Sequence, residues 1–206
     1  PISVASAALL VAVLEDPPRS AGADLRDALY RPLPQWQRRA QHWQKRIGVK
    51  GGRVDEDHFA ALLTAGFSDR LARRRDNSGR YQLANGLGAM LDEQQALTRY
   101  EWLIAPTLLQ GSSAPDARIL MAIPVDIEAL TQQCPQLIEQ RTEVEWDEEK
   151  GTLRTLRREQ IGELILKTQP LARPDAKVLQ AAMLRWIGKK GLSVLGWTPE
   201  AEQLRL

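Results

Sequence analysis

Just past Gly66 the sequence changes from helical periodicity to short runs punctuated by turn residues. RLARRR (70–75), RYQLAN (80–85), EWLIAPTLL (101–109), ARILMAIPV (117–125), EVEWDE (143–148), TLRTLRR (152–158) and IGELILK (161–167) are each strand-sized. Asn77-Ser78-Gly79 and Glu149-Lys150-Gly151 suit hairpin turns, because asparagine and glycine tolerate the positive φ that tight hairpins need. Short strands at close spacing predict a small antiparallel barrel or sandwich. A helix over 126–134, with Asp126 as N-cap, interrupts them. Strands around a single helix suit an OB-like antiparallel β-barrel.

Helical patterns flank this region. Residues 3–15 are apolar on every side, which marks a buried helix, and Pro17-Pro18 stops it. ADLRDALY (23–30) reads as a short amphipathic helix. Residues 34–47 form another, with Pro34 in the first turn, Gly48 beyond the end, and a stripe of Trp36, Ala40, Trp43 and Ile47. DEDHFAALLTAGF (55–67) carries its acidic residues at the positive end of a helix. From Pro170 the chain is helical again: 174–191 has Pro174 near its start, a basic last turn and Gly191 at its end. The fold class is therefore α+β. We expect a helical segment over 1–65, the barrel over 66–169 and a C-terminal helical extension over 170–206. A buried-type first helix, and a last stretch EAEQLRL without a capping glycine, lead us to expect a piece of a longer protein.

Composition excludes several classes of chemistry. The single cysteine, Cys134, allows no intrachain disulfide and fits a reducing, cytoplasmic setting as a buried thiol. His42 and His58 read as surface helix residues, and one cysteine with two histidines assembles no zinc site. No run of about 18 apolar residues is present, so no membrane partner is expected. Gly188-Lys189-Lys190 lacks the upstream glycine and the hydroxyl of a phosphate loop, and no nucleophile elbow occurs. No catalytic residue and no cofactor is assigned to this chain.

The net charge of +2 decides little; its placement is more informative. Arg70, Arg73, Arg74, Arg75 and Arg80 face only Asp69 and Asp76 nearby in sequence. Arg154, Arg157 and Arg158 form a second group on a strand, and Lys189 and Lys190 a third at a helix end. Alternation along a strand turns Arg73 and Arg75 one way and Arg74 the other. Arg74 then needs a partner, because an unpaired buried guanidinium is very costly; it is the structural member of the group. Small barrels hold single-stranded nucleic acid with a basic groove and stacking aromatics, and Tyr81 and Trp146 are the aromatic candidates. Arginine rather than lysine favours bidentate phosphate contact. The competing reading is an edge strand kept soluble by charge and paired with Glu143, Glu145, Asp147, Glu148 and Glu149.

The string SDRLARRR…RYQLANGLGAML, followed by EWLIAPTLL…ARILMAIPV, resembles the region after the helicase core in bacterial HrpB-type ATP-dependent RNA helicases of the DEAH/RHA group. VLEDPPRSAGADLRDAL upstream, and EVEWDEEKGTLRTLRREQIGELIL and LGWTPEAEQLRL downstream, resemble flanking parts of that family in order. The resemblance implies the end of a ratchet-like helical bundle, an OB-like domain and the start of a C-terminal extension. It implies single-stranded RNA, or DNA, as partner, together with the RecA-like domains of the same parent chain. ATP and magnesium would belong to those domains. The resemblance extends the nucleic-acid role to Arg73, Arg74, Arg75, Arg80 and Tyr81, of which Arg74 is the structural member; the charge pattern adds Arg154, Arg157 and Arg158 as nucleic-acid-binding candidates. The alternative role is a protein-interaction scaffold of the helicase with little RNA contact.

Overall fold

The computed structural model describes residues 3–19, 22–49, 52–111, 114–147, 152–172 and 175–191. Helix α1 (Val4–Glu15) starts at Ser3, whose hydroxyl accepts the Ser6 N–H at 3.3 Å. It buries Ala5, Ala8, Leu9, Ala12 and Val13, while Val11 stays 41% exposed. Its main partner is α3 (Pro34–Arg46), which places Trp36 and Ala40 in the interface. The Trp36 indole donates to the Asp16 carbonyl at 2.8 Å, so one aromatic both fills the interface and ties down the end of α1. Ile47, the last member of the expected stripe, is 59% exposed.

Helix α2 (Arg26–Tyr30) is shorter than its pattern. Residues 23–25 are drawn into strand pairing instead: Leu25 N–H donates to the Ala122 carbonyl at 3.0 Å, and Ala122 N–H to the Ala23 carbonyl at 2.8 Å. Helix α4 (Phe59–Gly66) is preceded by a 3-10 turn over Glu56–His58. Ser6 Oγ and the Asp55 backbone exchange hydrogen bonds at 2.9 and 2.7 Å, pinning that turn to α1.

The barrel holds β1 (Leu71–Arg74), β2 (Arg80–Leu83), β3 (Gly88–Met90), β4 (Trp102–Leu109) and β5 (Ala117–Pro124). It closes in the order β1-β2-β3-β5-β4. Each pairing is antiparallel except β3–β5, which is parallel, a departure from the all-antiparallel expectation. Strand β3 is three residues long, too short to show alternation, yet it supplies the link that closes the barrel. Gly79 ends the first hairpin turn at φ 75°, and a Cβ there would strike the Leu91 carbonyl. Ala72, Tyr81, Leu83, Ala89, Leu91, Leu97, Leu103, Ala105, Ile119 and Ala122 fill the interior.

Helix α5 (Ile127–Gln133) follows the fifth strand, so it lies after the barrel and not inside its strand sequence. Asp126 caps it as expected, accepting the Glu128 and Ala129 N–H groups at 3.0 and 3.1 Å. Cys134 is 2% exposed, and burial pushes its thiol pKa up. Strands β6 (Glu139–Asp147), β7 (Thr152–Ile161) and β8 (Leu164–Pro170) form a separate three-stranded sheet in that order. The sequence pattern assigns them to the barrel, but β1 pairs with both β2 and β4, and the closed ring has no edge left to extend.

The chain divides into two compact units. One comprises Pro1–Glu139 with Ile161–Leu164, and the other Gln140–Gln160 with Ile165–Leu206. The boundaries at 65/66 and 169/170 follow changes of local texture, whereas the units follow packing. In the second unit, helix α6 (Ala176–Lys190) is capped by Asp175, which accepts the Lys177 N–H at 2.7 Å, and ends at Gly191 with φ 83°. Glu148, the Glu149-Lys150-Gly151 turn, Pro174 and the stretch LGWTPEAEQLRL lie outside the described residues.

Candidate nucleic-acid interface

The β1–β2 hairpin sets Arg73 opposite Gln82 and Arg74 opposite Tyr81. Arg73 faces outward. Its Nε donates to Glu101 Oε1 at 3.0 Å, and its guanidinium lies 5.1 Å from the centre of the Trp102 ring. Arg75 is exposed, with no carboxylate in ion-pair reach among the described residues; its backbone N–H donates to the Arg80 carbonyl at 2.8 Å. Arg74 is half-buried and turns the other way. Its Nη1 donates to the Thr98 and Arg99 carbonyls, at 3.0 and 3.2 Å, where a 3-10 turn (Ala96–Arg99) ends. Carbonyls at a helical end lack intrahelical donors, so a cation there satisfies them. Arg73, Arg74, Arg75, Asp76, Asn77, Gln82 and Glu101 line a cleft of about 420 Å³.

Register carries the outer face across the barrel. Arg80 stands opposite Met90, Met90 opposite Arg118, and Arg118 opposite Leu109. Arg80, Met90, Arg118 and Leu109 are all exposed, so basic and apolar side chains interleave along one row. Arg80 Nη2 lies 3.4 Å from Asp116 Oδ2, and the Asp116 side chain is only 14% exposed. Asp116 rests on Gly88, where any Cβ would collide with its carboxylate. Arg118, Met90 and Leu109 escape a reading based on arginine clusters. The available signal was parity: in ARILMAIPV, Ile119 and Met121 alternate with Arg118 and Leu120, and only the first pair is buried.

Tyr81 does not join this face. It is fully buried in the barrel core, with its hydroxyl donating to the Tyr100 carbonyl at 3.0 Å and the Leu97 carbonyl at 3.2 Å as the second acceptor. A ring with no exposed face cannot stack on a base, so its assignment to nucleic-acid contact is corrected. Alternation gives the reason: the outward neighbours on β2 are Arg80 and Gln82. Desolvation raises the phenol pKa, with Arg74 pulling slightly the other way.

The remaining basic candidates lie in the second unit. Arg154 and Arg157 are exposed. Arg158 is taken up by Glu143 at 2.5 Å and Glu145 at 3.3 Å, so these acidic residues do serve as partners for a nearby arginine. Trp146 stacks on Trp186 with ring centres 4.2 Å apart and planes 25° apart. Both line a cavity of about 490 Å³ with Arg185, Lys189 and Glu143. Lys189 and Lys190 occupy the last turn of α6.

Among the described residues no group of histidine, cysteine and carboxylate side chains could hold a metal ion, and no helix is long and apolar enough to cross a membrane. Residues 137–171, which contain β6, β7 and β8, match a family described as "ATP-dependent RNA helicase HrpB, connector region". The chain is 58% identical over 202 residues to the ATP-dependent RNA helicase HrpB of Escherichia coli (strain K12), covering 98% of this chain and 25% of that one. It thus spans about a quarter of the length of the curated relative it matches. The solved structure of the E. coli DExH-box NTPase HrpB superposes with a TM-score of 0.82 at 58% identity, over 98% of this chain and 25% of that one. The E. coli DEAH/RHA helicase HrpB superposes with a TM-score of 0.79 at 54% identity, with the same coverage. High identity along nearly the whole chain, with the same fold in both solved structures, makes this chain a counterpart of one stretch of the longer HrpB sequence.

Proposed function

We propose that this chain is an accessory region of an ATP-dependent RNA helicase, and that its barrel, of the OB type, holds single-stranded RNA. The observation that supports this most is the outer barrel face, where Arg73, Arg75, Arg80 and Arg118 stand among Gln82, Met90 and Leu109. Guanidinium groups suit phosphate oxygens bidentately, and apolar side chains between them suit the faces of bases without reading sequence. Arg154 and Arg157 add a second basic strand in the other unit. DNA of the same form would bind by the same phosphate contacts.

In this reading the chain holds nucleic acid and packs on RecA-like domains elsewhere in the cytoplasmic parent protein. ATP and magnesium act in those domains, and the chain alone hydrolyses no ATP. The modules divide near residues 65 and 169, although packing divides the chain otherwise. A protein-interaction scaffold is the second reading. It draws on the ion pairs of Arg73, Arg80 and Arg158, because carboxylates already occupy those guanidinium groups.

Titration of a fluorescent oligouridine with this chain, repeated across salt concentrations, separates the two. We expect log affinity to fall with log salt at about 0.7 per phosphate neutralised. Arg75→Ala with Arg118→Ala should weaken binding severalfold with unchanged melting. Binding that is absent at low salt, or indifferent to salt, leaves the scaffold reading standing and removes this one.

A further inference from the structure

We infer that Glu101 and Asp116 are affinity-setting residues, carboxylates that occupy the guanidinium groups of the RNA face and hold its affinity down. The inference rests on the RNA-binding reading and adds residues that no resemblance assigned. The geometry is specific. Of the outward arginines on the barrel, Arg73 is held by Glu101 at 3.0 Å and Arg80 by Asp116 at 3.4 Å. Arg75 and Arg118 have no carboxylate in ion-pair reach among the described residues. The face therefore holds two kinds of arginine: open ones, and ones a phosphate reaches only by displacing a carboxylate.

The two latches differ physically. Glu101 and Arg73 are both well exposed, at 54% and 44%, so water screens them and they exchange easily. Asp116 is 14% exposed and lies over Gly88, while Arg80 is 50% exposed. Arg80 is thus the partner more open to solvent, and RNA must draw it from a poorly solvated carboxylate. A carboxylate with fewer water contacts holds its cation more tightly and is less sensitive to salt. The consequence is a surface that contacts phosphate with only part of its formal charge engaged, which favours rapid release of a single strand.

The experiment is equilibrium binding of a fluorescent 20-mer of uridine to the chain and its variants at low and moderate salt. Glu101→Gln should tighten binding by about two- to fivefold, the range set by an exposed ion pair. Asp116→Asn should tighten it more. Each should steepen the salt dependence by about 0.7, one further phosphate engaged. Glu128→Gln, on an exposed α5 carboxylate with no arginine partner among the described residues, should leave affinity unchanged. Melting curves identify any variant that fails to fold, and Glu101, being exposed, tests the idea if Asp116→Asn does not. Unchanged or weaker binding by Glu101→Gln beside a wild-type chain that binds overturns the latch alone. Equal tightening by Glu128→Gln also overturns it, because the effect is then only net charge. No binding by wild type or any variant overturns the RNA reading itself.

Discussion

Arg73, Arg74 and Arg75 are adjacent and have three different environments. Arg73 lies against Glu101 and Trp102, Arg74 against two carbonyls, and Arg75 faces solvent. Alternation in a strand is enough to separate the middle one from its neighbours. Arg74→Ala should therefore act on stability, leaving the carbonyls of the Ala96–Arg99 turn without that donor; a loss of about 1–3 kcal/mol in urea unfolding is expected. Tyr81 supplies a second residue-scale test. Tyr81→Phe should cost about 0.5–1.5 kcal/mol through the lost hydroxyl contacts, measured the same way. It also has a pH signature. A phenol pKa raised in the folded state contributes stability that is complete below the ordinary value near 10 and lost as pH rises through the folded one. Tyr81→Phe should therefore flatten the alkaline limb of a stability–pH curve, and a limb of unchanged slope would contradict this.

At the scale of elements, turns and caps were legible where chemistry demands one residue type. Asp126 caps its helix, Gly191 ends the last one at positive φ, and Gly79 closes a hairpin with positive φ. Gly79→Ala should destabilise by more than about 1 kcal/mol, because the strained φ is compounded by the clash with Leu91. Gly66→Ala is the internal contrast: nothing crowds a Cβ there, and the helical end should gain about 0.4–1 kcal/mol. Denaturant midpoints of the two variants should move in opposite directions. Strand β3 and the start of α2 were not legible. Three residues carry no period, and residues 23–25 abandon a helical pattern to hydrogen-bond along β5. A local pattern cannot report a partner about a hundred residues away, and tertiary pairing outweighs weak propensity.

For the whole molecule, the units differ in how much they bury. The barrel unit encloses a continuous apolar core, whereas Leu156 and Ala182 are the buried apolar side chains among the described residues of the sheet-and-α6 unit. Opening free energy follows buried apolar contact. Amides of β4 and β5 should accordingly exchange with solvent more slowly than those of β6 and α6, as hydrogen-exchange mass spectrometry would resolve. Equal protection across both units would mean that they open together.

Period, turn chemistry and capping are local properties, and they determined the α+β class, the helices and most of the strands from residues alone. The specific string around RLARRR and RYQLANG also carried the family. Closure of the barrel, the parallel β3–β5 pair and the detachment of β6–β8 into their own sheet were decided only in three dimensions, because strand pairing joins residues distant in sequence. The same holds for the candidate interface. An arginine-rich stretch announces charge, but its register with β3, β5 and Glu101 decides which guanidinium groups face solvent, which hold carbonyls and which already hold a carboxylate.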